Sequence, residues 1–157
     1  TFQLLTQVSG RAGRHEKQGE VIVQTYTPEH YAIELSKDQL YEPFYEQEMH
    51  NRRLAGYPPY YYLALVQVTH EDVMVAAEYS GKVATYLREN LSFNVSIIGP
   101  TTASITRLQN RYRYQCLIKY RIEPNLIPVL LDLIKIYRSE WMKKGITLSI
   151  DLDPTVM

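Results

Sequence analysis

Residues 112–120 alternate almost without fault. Tyr112, Tyr114, Cys116, Ile118 and Tyr120 fall on one side. Arg111, Arg113, Gln115, Lys119 and Arg121 fall on the other, and Leu117 is the exception. A period of two marks a strand with one face on a core and one toward water. A strand cannot stand alone, so the rest of the chain has to build a sheet around it.

The neighbouring segments have the pattern to do so. Residues 60–69 read as a strand ending in Leu63-Ala64-Leu65-Val66-Gln67-Val68. Residues 71–90 place Val73, Ala76, Ala77, Ser80, Val83, Ala84 and Leu87 at helical spacing. Residues 93–98 make a short strand stopped by Gly99-Pro100. Pro124 opens a second helix reaching Lys144, with Leu126, Ile127, Leu130, Leu131, Ile134 and Trp141 apolar and Gly145 as its cap. Ile146, Leu148, Ile150 and Leu152 then alternate with Thr147, Ser149, Asp151 and Asp153 as a last half-buried strand. The order β-α-β-β-α-β predicts a split α/β (α+β) domain over residues 57–157. In it, two helices cover one face of a four-stranded, mostly antiparallel sheet. Residues 99–110 are expected as a loop, long enough in so small a domain to carry function.

Residues 27–56 read as a helical connector. Pro43 suits a first turn, Glu46 and Glu48 come early, and Arg52 and Arg53 come late, as the helix dipole favours. Gly56 and Pro58-Pro59 stop it. Its apolar stripe of Phe44, Tyr45, Met49 and Leu54 is narrow, so it is expected to pack between bodies without a core of its own. Residues 1–26 read as the end of another unit. The run Glu20-Val21-Ile22-Val23-Gln24-Thr25 is expected as a buried strand whose sheet lies upstream of Thr1.

Net charge is zero, which excludes a polycation, but the charge is uneven. Residues 90–122 hold no acid, yet include Arg107, Arg111, Arg113, Lys119 and Arg121. Residues 29–48 are acid-rich. Such asymmetry marks a nucleic-acid face or two faces that attract each other. The Arg/Lys stripe, with Tyr112 as a stacking plane, therefore reads as a DNA-phosphate contact or as a solvated or docking face. Residues 57–62, Tyr-Pro-Pro-Tyr-Tyr-Tyr, read as a base-stacking or peptide platform, or as a rigid turn with alternate tyrosines buried.

The single cysteine, Cys116, excludes an internal disulfide or a Cys-based zinc site and points to a reducing, cytoplasmic setting. Its place in an alternating strand makes it a small buried thiol. His15, His30, His50 and His70 have no metal spacing and read as surface residues, so no metal site is expected. Asp151-Leu152-Asp153 reads as a solvated strand end. No apolar stretch nears the roughly 18 residues of a membrane span, so no membrane partner is expected.

One string carries chemistry. Gln7-Val8-Ser9-Gly10-Arg11-Ala12-Gly13-Arg14 reads Q-x-x-G-R-x-G-R. A planar, permanently charged guanidinium is suited to bracing transferring phosphate oxygens, and the glycines permit a tight, close backbone. The pattern resembles motif VI of superfamily 2 helicases. No G-x-x-x-x-G-K-[ST] accompanies it; Gly81-Lys82-Val83 is not one.

Further strings align in order: Gly19 through Thr25, Phe44-Tyr45-Glu46-Gln47-Glu48-Met49 with Arg52-Arg53, and Gly56-Tyr57-Pro58-Pro59. Gly99-Pro100, Arg107-Leu108, Arg111-Tyr112-Arg113-Tyr114-Gln115, Leu117-Ile118-Lys119 and Ile150-Asp151-Leu152-Asp153-Pro154 follow. Over nearly the whole chain they resemble the C-terminal part of the primosomal protein N′ (PriA) family, the bacterial replication-restart helicases. The resemblance implies a cytoplasmic 3′→5′ DNA helicase, monomeric, driven by ATP and Mg²⁺. It implies forked or single-stranded DNA, other primosome proteins and single-stranded DNA-binding protein as partners. Residues 1–26 would be the end of the second RecA-like lobe. Gln7, Gly10, Arg11, Gly13 and Arg14 would serve ATP binding, with Arg11 and Arg14 catalytic. The C-terminal domain would have a ribosomal-protein-like α/β fold that meets DNA and partners. The family's Walker motifs and zinc module lie upstream, so residues 1–157 by themselves are expected to be inactive and zinc-free, with residues 1–26 poorly supported.

Overall fold

The computed structural model describes residues 1–12 and 20–154. The chain divides into two compact units, Thr1–Ala55 and Gly56–Met157.

The first unit holds three helices, α1 (Phe2–Ser9), α2 (Tyr31–Lys37) and α3 (Tyr41–Ala55). His30, exposed as a surface histidine, also caps α2, its Nδ1 accepting the Ala32 N–H at 3.2 Å. Pro43 falls in the first turn of α3 and Arg52 and Arg53 in the last. Phe2 is buried and stacks on Phe44 with ring centres 4.1 Å apart. The Tyr31 hydroxyl donates to Glu48, which also accepts from Arg52 Nε at 2.6 Å. The tyrosine bond holds the Glu48 carboxyl below its usual range and pushes the Tyr31 hydroxyl up. α3 has no fully buried residue, in keeping with its narrow stripe. The strand expected over residues 20–25 is not formed, and Ile22 is 86% exposed. A strand persists only when a second one completes its hydrogen bonds. The described elements of this unit are all helices.

The second unit contains β1 (Tyr62–His70), α4 (Val73–Asn90), β2 (Ser96–Leu108), β3 (Arg111–Tyr120), α5 (Leu126–Ile136) and β4 (Thr147–Leu152). The sheet order is β2-β3-β1-β4 and every neighbouring pair is antiparallel. This is the split βαβ arrangement the sequence pattern predicts. Asp72 caps α4, accepting the Met74 N–H at 2.7 Å. Ala64, Val66, Val68, Cys116 and Ile118 turn one sheet face onto Val83, Ala84, Leu87, Leu130 and Leu133 of α4 and α5. Each large aliphatic side chain buried there contributes about 1.5–3 kcal/mol. After α5 the helix widens into a π turn, Tyr137–Trp141, and tightens into a 3-10 turn, Met142–Lys144. Gly145, at φ 74°, ends it in the left-handed conformation. Buried Trp141 meets the Tyr79 ring edge-on at 5.2 Å.

The expected loop over residues 99–110 is largely strand. β2 passes through Gly99-Pro100 and continues to Leu108, and the turn shrinks to Gln109 and Asn110, at φ 50° and 62°. Two left-handed residues are what a two-residue hairpin needs. Pro100 is tolerated because β2 is an edge strand, where a missing N–H breaks no ladder. The ladder to β3 is irregular, jumping between Ile98 and Thr101 and again between Thr102 and Arg107.

Candidate nucleic-acid interface

The sheet face turned away from the helices carries the basic stripe. Its rows follow from the register. Arg113 pairs with Thr69, which pairs with Thr147; Gln115 lies between Thr101 and Gln67, which pairs with Ser149. Leu117 lies between Ile98 and Leu65, and Lys119 between Ser96 and Leu63. The alternation exception is thereby explained: Leu117 sits beside Ile98 and buried Leu65, in a row that ends at Asp151 on β4, and next to buried Leu63 of the Lys119 row.

The structure separates the five predicted DNA-binding residues. Arg111 points at its own fold. Its Nη2 donates to the carbonyls of Gly145 at 2.5 Å and Thr69 at 3.1 Å and to Thr147 Oγ1 at 3.2 Å, and its Nε to Thr69 Oγ1 at 3.3 Å. Glu71 stands 3.7 Å from its Nη1. These donors lace β3, β1 and the entry to β4 together. Arg113 donates from Nε to Gln67 Oε1 at 3.2 Å, which holds its guanidinium over the open face. Lys119 sits with Nζ 3.8 Å from the centre of the Tyr57 ring. Arg107 lies elsewhere. Residues 103–106 of β2 stand against the single Arg113 of β3 and bring Arg107 opposite Tyr112, whose ring centre is 5.0 Å from the Arg107 guanidinium carbon, and Arg107 donates to Asn110. Tyr112 belongs to the β3 side that carries Cys116 and Ile118, so Arg107 and Tyr112 are not part of the Arg113–Lys119 row. A bulge re-aims side chains in this way, and spacing in the sequence does not reveal it.

Arg121, outside the predicted set, stands 4.8 Å from the Tyr61 ring centre. Tyr57 and Tyr61 thus serve the basic face as cation holders, a role visible in the sequence only as a tyrosine run. His70 is also more than a surface residue. Its Nδ1 accepts the Asp72 N–H at 2.9 Å, so the proton sits on Nε2, which faces the Lys144 carbonyl at 3.2 Å. Cys116 is buried, and burial pushes its thiol up to about 11.

In the first unit, Gln7 lines a cleft of about 660 Å³ with Phe2, Gln3, Thr6, Gln39, Tyr41 and Phe44. Gly10 continues α1 at φ −67°, so no left-handed turn requires glycine there. Arg11 is exposed just beyond, its N–H bonded to the Val8 carbonyl at 3.0 Å. Gly13 and Arg14 lie outside the described residues. Among the described residues, no three His, Cys, Asp or Glu side chains gather as metal ligands, and no helix is long and apolar enough to cross a membrane.

Fold and face define a split βαβ domain with an acid-free, arginine-bearing hairpin, joined to a three-helix unit that ends its first helix in a Gly-Arg motif. A family model described as "Primosomal protein N C-terminal domain" matches residues 53–155, and the chain belongs to that family. It is 53% identical over its whole length to the "Replication restart protein PriA" of Bacillus subtilis and 41% identical over 153 residues to that of Synechocystis. The Thermotoga maritima protein of the same name is 31% identical over 157 residues. These alignments cover 98–100% of the chain but 18–20% of each relative. The chain therefore spans about a fifth of the relatives it matches.

Proposed function

We propose that this chain is the C-terminal part of an ATP-dependent 3′→5′ DNA helicase of replication restart, and that its second unit holds DNA. The observation that carries the DNA-holding role is the acid-free segment 90–122, folded as an edge hairpin and its exit, with Arg113 and Lys119 on one face and Arg121 just past the end of β3. A basic edge hairpin whose own two strands carry no acid suits a phosphate backbone, with Asp151 set two strands away on β4. The process follows from relatives named replication restart proteins. In the intact helicase, Gln7, Gly10, Arg11, Gly13 and Arg14 act at the ATP and Mg²⁺ site, where Arg11 and Arg14 brace the transferring phosphate. Zinc belongs to another module. The setting is cytoplasmic, and the partners are forked or single-stranded DNA, primosome proteins and single-stranded DNA-binding protein.

Two measurements on the intact helicase test the reading. Arg14→Ala and Arg11→Ala are each expected to lower DNA-stimulated ATP hydrolysis by on the order of 10³-fold; wild-type turnover in both variants removes the catalytic assignment. Arg113→Glu is expected to weaken binding to forked DNA at every salt concentration. Unchanged affinity removes the DNA-holding role and leaves the face to a protein partner.

A further inference from the structure

We propose that the end of the open face where β3 leaves the sheet is a stacking site for unpaired nucleic-acid bases, built from the pairs Tyr57–Lys119 and Tyr61–Arg121. The proposal rests on the DNA-holding reading and adds the state of the nucleic acid and the residues that sense it.

Lys119, three rungs from Arg113, and Arg121, just past the end of β3, are each parked over a ring, Lys119 Nζ at 3.8 Å from Tyr57 and the Arg121 guanidinium carbon at 4.8 Å from Tyr61. The rings are themselves fixed. The Tyr60 N–H donates to the Tyr57 carbonyl at 3.1 Å, closing the turn that carries them. Tyr61 packs against Gly56, whose missing Cβ would lie 3.6 Å from the ring. A cation held this way is ordered before any ligand arrives, so little side-chain freedom is lost on binding. Arg121 is an exposed residue. A guanidinium plane is a stacking surface for a base, and a base in a duplex has no free face to offer. The next acid along the chain, Glu123, is turned inward: its carboxylate accepts from Ser92 N–H at 3.2 Å, the Ser92 hydroxyl and Asn125 N–H at 3.1 Å. Asp153 is the carboxylate beside this end, its Oδ1 accepting the Leu63 N–H at 3.4 Å next to the Lys119 rung, so Lys119 and Arg121 outnumber it, and the flat groups favour unpaired bases.

The test is fluorescence anisotropy of the intact protein with an oligothymidylate of roughly a dozen nucleotides and with a blunt duplex. Arg121→Lys keeps the charge and removes the plane. It is expected to weaken oligothymidylate binding about tenfold, with the salt slope and duplex affinity unchanged. Tyr61→Leu is expected to do the same and Tyr61→Phe to bind like wild type, with thermal melting showing all three folded. Full affinity in both Arg121→Lys and Tyr61→Leu, or an equal loss on the duplex, overturns the stacking site while leaving phosphate holding intact. Displacement of oligothymidylate by polyglutamate, lost in Arg121→Lys, assigns the site to an acidic protein instead. No salt-dependent binding of either probe by wild type overturns both readings together.

Discussion

Arg111 donates to the carbonyl of Gly145 at 2.5 Å, bridging the start of β3 to the residue that ends the helical run before β4. The same guanidinium serves Thr69 and Thr147. Arg111→Ala should therefore cost about 2 kcal/mol of stability, because it leaves carbonyls of a half-buried corner short of a charged donor. Arg111→Lys should recover less than half of it, since a lysine cannot reproduce the planar fork. Urea unfolding checks both, and a full recovery by lysine would show that charge alone matters there.

Glu123 ties the end of α4 to the start of α5 through Ser92 and Asn125. The Ser92 hydroxyl, chiefly, holds its carboxyl below the usual range. A carboxyl with a lowered folded-state value adds stability above its unfolded value and loses it as pH falls through the folded one. Wild type should thus lose part of its stability between about pH 5 and pH 3, and Glu123→Gln should show a flatter acid limb. At neutral pH the variant should be about 1–2 kcal/mol less stable. Melting across that pH range is the measurement; parallel curves for the two proteins would refute the role.

Most of the second unit was legible before the structure because its signals are local. Val83, Ala84 and Leu87 repeat at helical spacing, and Cys116 and Ile118 alternate into the core, so both elements declared their buried faces. The hairpin was misread because Gly99-Pro100 signals a stop in an ordinary strand, whereas at a sheet edge it signals only a kink. The stripe was partly misread for a related reason. Period two assigns faces only while register holds, and the shift between Thr102 and Arg107 moves Arg107 to Tyr112. Arg111 and Arg113 look equivalent in sequence. Only the distant Gly145 and Thr147, brought close by the fold, tell them apart.

Gly99 has φ 112°, and a Cβ built there would lie 2.6 Å from the Gln115 carbonyl. No side chain fits without moving backbone of β3. Gly99→Ala should cost at least about 2 kcal/mol by backbone strain alone and loosen the β2–β3 ladder. Amide exchange of β2 and thermal melting would register both effects. Retained protection at Thr101 and Thr102 would mean that the strand yields cheaply.

The Cys116 thiol, pushed up to about 11 by burial, is almost wholly protonated near neutral pH. Its sulfur lies in the core, facing the Ser80 carbonyl at 4.0 Å. A water-soluble disulfide reagent at pH 8 should therefore modify native protein only as fast as the domain opens, and unfolded protein at once. Stoichiometric labelling of folded protein within seconds would contradict that burial.

The two neighbouring arginines of β3 provide the sharpest separation of structure from binding. Arg111 is occupied by four hydrogen bonds to its own fold, whereas Arg113 is positioned by a single bond to Gln67 on the open face. A phosphate contact is read from the salt dependence of binding, whose slope changes by roughly one for each cation removed. Arg113→Ala should flatten that slope by about one and leave unfolding nearly unchanged. Arg111→Ala should lower stability while the slope of the protein that remains folded stays as in wild type. Arg107→Ala, on the other side of the sheet, should change the slope only if DNA also wraps the hairpin past Tyr112. Equal slopes for wild type and Arg113→Ala would remove Arg113 from the interface and return the open face to a protein-docking role.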